Sequence, residues 1–118
     1  MIIDLEGKLG RKLIEHGVTK DEILATDFVT WPCAGALTAP ISAKRVTVFV
    51  PRAWIGNQTG YGYAFRHEFY HVRQARTWGR VSYWMKHVAA RIKTRSMLAK
   101  DDPVEIGAYD AERKFLAE

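Results

Sequence analysis

The spacing of apolar residues changes along the chain and predicts a mixture of helices and strands. Over residues 4–16, leucines recur at every fourth position, which predicts an amphipathic helix ended by a glycine. The sequence TKDE has the form of a capping box and opens a short helix over 21–25. Residues 28–31 predict a short strand, and 32–42, bounded by prolines, predict an irregular connection or a hairpin. The segment KRVTVFV, 44–50, is rich in β-branched and aromatic side chains and predicts a strand.

The second half of the chain is predicted to be helical. A helix over 64–78, ended by Gly79, has an apolar stripe that would pack on the sheet: Phe65, Phe69 and Val72. A second helix has a stripe of five apolar residues: Val81, Trp84, Met85, Val88 and Ile92. Its polar side carries four cations: Lys86, Arg91, Lys93 and Arg95. We expect this stripe to cover the core, although a basic face backed by Trp and Met also suits a membrane surface or nucleic acid. A last helix is predicted from Asp102, with Pro103 in its first turn.

These elements predict an α+β fold with a small sheet beside the helix over 64–78. A length of 118 residues suits one domain with a single modest core. The hydrophobic content of 47% argues against a disordered chain. No apolar run of about 18 residues or signal-peptide pattern is present, so the expected compartment is cytoplasmic. Cys33 is the single cysteine and is expected to be a buried packing thiol.

Positive charge is concentrated in the segment 73–100. This segment contains eight of the 18 Lys and Arg residues and no Asp or Glu, whereas the formal net charge of the whole chain is +5. Such an asymmetry suggests an anionic partner, or simply a well-solvated face, which is the commoner explanation.

The sequence HEFYH, 67–71, specifies a chemistry through its residue types and their spacing. Residues four apart share one face of a helix, so His67 and His71 can offer imidazole nitrogens to a single ion. Glu68 lies where a carboxylate can reach a water held by the metal without displacing it, as H-E-x-x-H peptidases require. The alternative is a pair of ordinary surface histidines beside a solvated acid.

A third protein ligand would leave one position of a zinc ion open for catalysis, and a carboxylate on a separate helix can supply it. Glu105, in the predicted last helix, is the leading candidate. Glu105 could instead complete a capping box with Asp102 by hydrogen-bonding to its N–H. Asp110 and Glu112 are close enough in sequence to substitute as ligands.

The succession of a strand, HEFYHVRQA, a basic Trp-containing helix and DPVEIGAYDAE resembles small bacterial and phage zincin-like domains of the gluzincin type. The similarity covers 44–118 as a metal-site core and leaves 1–43 as an N-terminal scaffold part of one domain. It implies a zinc metallopeptidase with Zn²⁺ as cofactor, a peptide or protein as substrate, and Glu68 as general base. It also implies three zinc ligands: His67, His71 and Glu105.

Two positions depart from related patterns. Many gluzincins have an Asp four residues after the ligand glutamate, where this chain has Tyr109. The Tyr109 hydroxyl could stabilise a substrate oxyanion as a catalytic group, or the ring could simply pack. The metzincin pattern is excluded because Gln74 and Thr77 occupy the positions of its glycine and third histidine.

Two hypotheses of different classes follow. In the first, the protein is a peptidase, and the strand over 44–50 lies at a sheet edge where it pairs with an extended peptide. In the second, it is a non-catalytic module with a zincin fold. That module would act through its basic amphipathic helix on nucleic acid, a membrane surface or an assembly partner.

Overall fold

The computed structural model describes residues 3, 5–41, 45–94 and 105–117. Within these residues lie six helices and one three-stranded sheet, so the predicted α+β class is confirmed. The elements in chain order are α1 (Lys8–Glu15), α2 (Lys20–Leu24), β1 (Thr26–Trp31), β2 (Leu37–Pro40), β3 (Val46–Pro51), α3 (Arg52–Gly56), α4 (Gly62–Trp78), α5 (Arg80–Thr94) and α6 (Ile106–Leu116).

The sheet has the strand order β1-β3-β2, with β1 parallel and β2 antiparallel to β3. The prediction that the strand over 44–50 lies at a sheet edge is therefore wrong, because β3 is paired on both sides. The cause is β2, which occupies part of 32–42 and pairs antiparallel with β3. Val46, Val48 and Val50 alternate along β3 and are buried, as expected for a central strand.

Helix α4 is the prediction that the structure confirms most directly. It begins at Gly62 and ends at Trp78, and Gly79 follows with φ +80°, a backbone conformation that favours glycine. The stripe that includes Phe65 and Phe69 is buried against the sheet, where both rings meet the Phe28 ring edge-on. Because this side of α4 packs on the sheet, His67 and His71 lie on another side of the helix.

The N-terminal helices brace α4 from its other flank. Helix α1 begins at Lys8, later than predicted, and Gly17 follows it with φ +95°. The capping box of α2 is confirmed: the Glu22 amide donates to Thr19 Oγ1 at 3.1 Å, and the Thr19 amide donates to Glu22 Oε1 at 2.8 Å. Glu22 is buried, and Arg73 of α4 donates to its carboxylate at 2.6 and 2.8 Å. This ion pair ties α2 to α4.

Helix α5 packs on the core through the face opposite to the predicted one. Tyr83 and Ala90 are buried and His87 is half-buried, and the Tyr83 hydroxyl donates to the Thr38 carbonyl at 3.3 Å. The predicted apolar stripe is instead 37–70% exposed: Val81, Trp84, Met85, Val88 and Ile92. The expectation that this stripe covers the core is wrong, because small and polar-aromatic side chains fit the space beside α4. Lys86 lies over the Trp78 ring, and the other predicted cations have side chains outside the described part.

Helix α6 begins at Ile106 with Glu105 as its N-cap residue, and the predicted start at Asp102 and Pro103 lies outside the described residues. It packs closely on α4: a Cβ at Gly107 would collide with the Tyr70 hydroxyl. This close approach brings the first turn of α6 next to the histidines.

Two further features concern the surface. Cys33 is exposed, not buried as predicted, because the connection between β1 and β2 runs over the surface. Among the described residues, no helix is both long and apolar enough to cross a lipid bilayer.

Candidate metal centre

His67 and His71 lie one turn apart on α4 and face the start of α6. Their ring centroids are 5.1 Å apart, and both side chains are largely buried. Glu105 reaches both rings, with Oε2 at 3.2 Å from His67 Nε2 and Oε1 at 3.0 Å from His71 Nε2. One donor atom from each of the three residues lies within 4.8 Å of the others. Helix spacing supplies the two imidazoles, and tertiary packing supplies the carboxylate.

The Glu105 carboxylate is directed at the two histidines; Asp102, its predicted capping partner, lies outside the described residues. Although Glu105 is the N-cap residue of α6, its side chain makes no capping hydrogen bond. Burial alone would raise its pKa, but hydrogen bonds and charge interactions with His67 and His71 hold the pKa of Glu105 well below its usual range. Burial would likewise lower the pKa of His67, but the Glu105 hydrogen bond and neighbouring acids raise it. The site thus contains an anionic carboxylate that is hydrogen-bonded to two imidazole rings.

Each histidine has a further partner on its other ring nitrogen. His67 Nδ1 lies 3.3 Å from Glu112 Oε2, and His71 Nδ1 lies 2.7 Å from Gln74 Oε1. The Nε2 protons are used here in hydrogen bonds to Glu105; an imidazole that instead keeps its proton on Nδ1, donated to Glu112 or Gln74, would offer its Nε2 lone pair to a metal. Two Nε2 lone pairs and one carboxylate form a donor set that suits a divalent cation such as zinc. The residues therefore fit the metal that the resemblance implies.

Glu112 and Gln74 were not predicted in these roles. Glu112 was considered only as a substitute ligand, and Gln74 only as a mismatch to the metzincin pattern. Sequence spacing does contain a signal, because Glu112 lies two helical turns after Glu105 and Gln74 lies one turn after His71. The other alternative ligand, Asp110, is directed elsewhere: it pairs with Arg113 at 3.0 Å and Lys114 at 3.3 Å.

Glu68 lies beside the histidines and is buried. Burial raises the pKa of Glu68, and the nearby histidines oppose that shift without overcoming it. The Thr38 hydroxyl lies 3.3 Å from Glu68 Oε1 and 3.4 Å from the Glu68 carbonyl oxygen. Thr38 belongs to β2, in the part of the chain that was assigned only a scaffold role. A buried carboxylate with a raised pKa accepts a proton more readily than an exposed one does.

A cavity of about 510 Å³ opens in front of these groups. The Tyr109 ring lines it and meets the His67 ring edge-on at a centroid distance of 4.7 Å. His87 of α5 lines the same cavity, with Nε2 3.3 Å from Gln74 Oε1. The predicted site residues therefore share one cavity wall, and His87, which no sequence pattern singled out, joins them. The catalytic role of Tyr109 stays a prediction.

Several cations of the segment 73–100 have partners within the molecule. Arg73 binds the buried Glu22, Arg80 donates to the Ile41 carbonyl at 3.1 Å, and Lys86 lies 4.8 Å from the centre of the Trp78 ring. Residues 95–100 lie outside the described residues. Comparison of the chain with protein-family models, curated proteins and solved structures finds no match.

Proposed function

We propose that this protein is a zinc-dependent metallopeptidase that hydrolyses peptide bonds with water. The observation that supports it best is the convergence of His67, His71 and Glu105 beside a buried Glu68 at the wall of a cavity. Two imidazoles and a carboxylate hold catalytic zinc in peptidases of this type and leave a coordination position open.

Bound there, a zinc ion would polarise the scissile carbonyl and acidify a water molecule. Glu68 accepts the proton of the attacking water and then delivers it to the leaving amine. Its raised pKa favours taking up the proton of the water. The Thr38 hydroxyl keeps the Glu68 carboxylate in place.

The substrate backbone lies along residues 35–37 at the cavity edge. Gly35, Ala36 and Leu37 line the cavity at the entrance to β2, which is an edge strand of the sheet. Further along β2, the outward carbonyls are used by α5, since Tyr83 donates to Thr38 and Trp84 donates to Pro40. Main-chain pairing with an extended peptide is therefore assigned to the start of β2, not to β3.

The test combines metal analysis with hydrolysis of an unfolded protein such as casein. We expect about one zinc per chain, activity that a chelator removes and zinc restores, and loss of about 100-fold or more in Glu68→Gln with zinc content unchanged. Glu15→Gln, at an exposed position of α1, is the matched control and should retain full activity.

Two results would overturn the proposal. One is a wild-type protein that contains stoichiometric zinc but cleaves no member of a diverse peptide library. The other is a Glu68→Gln variant as active as the wild type.

A further inference from the structure

Helix α5 has apolar residues on two opposite faces, and only one of them is used inside the protein. Tyr83, His87 and Ala90 face α4 and the cavity. The opposite face, here called the α5 face, consists of five exposed residues: Val81, Trp84, Met85, Val88 and Ile92. A group of large apolar side chains on a solvent-facing surface indicates an interaction site.

Two hydrogen bonds join the first turns of α5 to the end of β2, where the apolar surface continues. The Trp84 indole N–H donates to the Pro40 carbonyl at 3.4 Å, and Arg80 donates to the carbonyl of Ile41, whose side chain is 60% exposed. The end of β2 thus adds apolar surface beside the first turns of α5. A preformed surface of this kind binds without having to fold first.

The charge of α5 discriminates among the classes of partner. The helix contains four Lys or Arg residues and no Asp or Glu. Two copies of this helix packed on each other would bring like charges together, which disfavours a second copy as occupant. The phosphates of a nucleic acid would attract the cations, but they provide no apolar surface that could bury the Val, Met and Ile side chains. An anionic bilayer surface takes both, with aliphatic side chains at the acyl boundary, Trp at headgroup depth and cations beside phosphates.

We propose that the α5 face binds the surface of an anionic phospholipid bilayer, with the helix lying in the plane of the interface. A helix of 15 residues is about 22 Å long, which suits an interfacial orientation. His87, on the opposite side of the same helix, lines the candidate active-site cavity. Membrane binding would therefore hold that cavity about one helix diameter, roughly 10 Å, from the headgroups.

The test is sedimentation of the full chain with vesicles of phosphatidylcholine containing about 30% phosphatidylserine, compared with pure phosphatidylcholine. We expect binding to the anionic vesicles, a blue shift of tryptophan fluorescence, and weakening by added salt. The triple variant Met85→Ser, Val88→Ser, Ile92→Ser should bind at least about 100-fold more weakly. Its matched control is Leu24→Ser with Leu116→Ser, two equally exposed positions on other helices, which should bind as the wild type does.

A second pair of variants tests the charges. Arg80→Gln with Lys86→Gln should weaken binding to anionic vesicles at least about tenfold, whereas Lys8→Gln with Lys20→Gln, exposed cations elsewhere, should not. Circular dichroism establishes that each variant is folded.

Three outcomes would overturn the proposal. They are no sedimentation with anionic vesicles, wild-type binding by the serine triple variant, and binding to duplex nucleic acid or an acidic protein but not to vesicles. Glu68→Gln should bind vesicles like the wild type. A failed vesicle experiment therefore leaves the peptidase proposal standing, and an inactive peptidase leaves this one standing.

Discussion

Replacing Glu105 with glutamine separates a metal ligand from a helix cap. Both oxygens of the Glu105 carboxylate lie within 3.2 Å of a histidine Nε2, and within the described residues the side chain makes no capping hydrogen bond to α6. Glutamine keeps the size of the side chain but removes its charge. If Glu105 is a ligand, the variant should lose most of its zinc affinity; if it only shapes the helix start, the response to zinc should be unchanged.

The expected stabilisation by zinc follows from the linkage between metal binding and folding. Zinc at 100 times its Kd stabilises the folded wild type by about 2.7 kcal/mol. That corresponds to a Tm increase of about 10 °C for a chain of this size. A loss of affinity of roughly a thousandfold leaves less than about 0.1 kcal/mol of stabilisation at the same zinc concentration, which a melt does not detect.

The assay is a thermal melt of each protein with zinc and with a chelator. Comparing each protein with itself cancels any metal-independent cost of the substitution. Glu112→Gln should give an intermediate gain of about 0.4–1.4 kcal/mol, because a neutral amide is a weaker acceptor for His67 than a carboxylate, and a change in such a partner weakens metal binding by about 10–100-fold. Asp110→Asn should keep the full gain, since its carboxylate pairs with Arg113 and Lys114. A full gain in Glu105→Gln would refute its assignment as a ligand.

Three further predictions concern stability and are read from urea or thermal unfolding. Gly107→Ala should cost about 1–3 kcal/mol and weaken zinc binding, because the new methyl group collides with Tyr70 and separates α6 from α4. Gly79→Ala should cost about 1 kcal/mol with zinc affinity unchanged, since a φ of +80° strains alanine while the space around it is open. Arg73→Met should cost about 2 kcal/mol at pH 7 by leaving Glu22 buried without its partner. Burial would raise the pKa of Glu22, but Arg73 and Thr19 lower it, so this contribution is present above the ordinary value of 4.5 and is lost as pH falls through the lowered pKa.

The ion-pair prediction has a matched control in the pair between Arg45 and Asp27. These side chains meet at 2.6 Å but are about half exposed, so Arg45→Met should cost clearly less stability than Arg73→Met. Equal costs for Arg45→Met and Arg73→Met would contradict the role assigned to burial. Zinc affinity reduced in Gly79→Ala, or unchanged in a destabilised Gly107→Ala, would contradict the other two predictions.

The sequence correctly predicted those helices whose ends and face are specified by residues within the helix itself. The ends of α4 follow from its periodicity and from Gly79, and the capping box of α2 lies within four consecutive residues. The exposed face of α5 was assigned wrongly because the most hydrophobic face was expected to be buried. The space beside α4 accepts Tyr83 and Ala90 instead. Periodicity identifies an amphipathic helix, but the shape of the neighbouring surface decides which face it buries.

In the candidate site, too, residues on one helix could be predicted from the sequence, whereas contacts between different elements could not. His67 and His71 converge because a helix places residues four apart on one side, so the sequence alone predicts them as a pair. Thr38 precedes Glu68 by 30 residues, and Glu112 follows His67 by 45, and both contacts depend on how β2 and α6 pack against α4. No pattern within a single element contains that information.

The separation of 34 residues between His71 and Glu105 has a consequence for the lifetime of the protein. An ion held by both would act as a cross-link that closes a long loop, and closing a loop of this length removes about 3.8 kcal/mol of chain entropy from the unfolded state. The cross-link would fasten α6, which inserts Phe115 into the core next to the His16 ring. A chain that loses its ion would hold α6 less tightly and be more open to proteases. Metal supply would then set how long the protein persists.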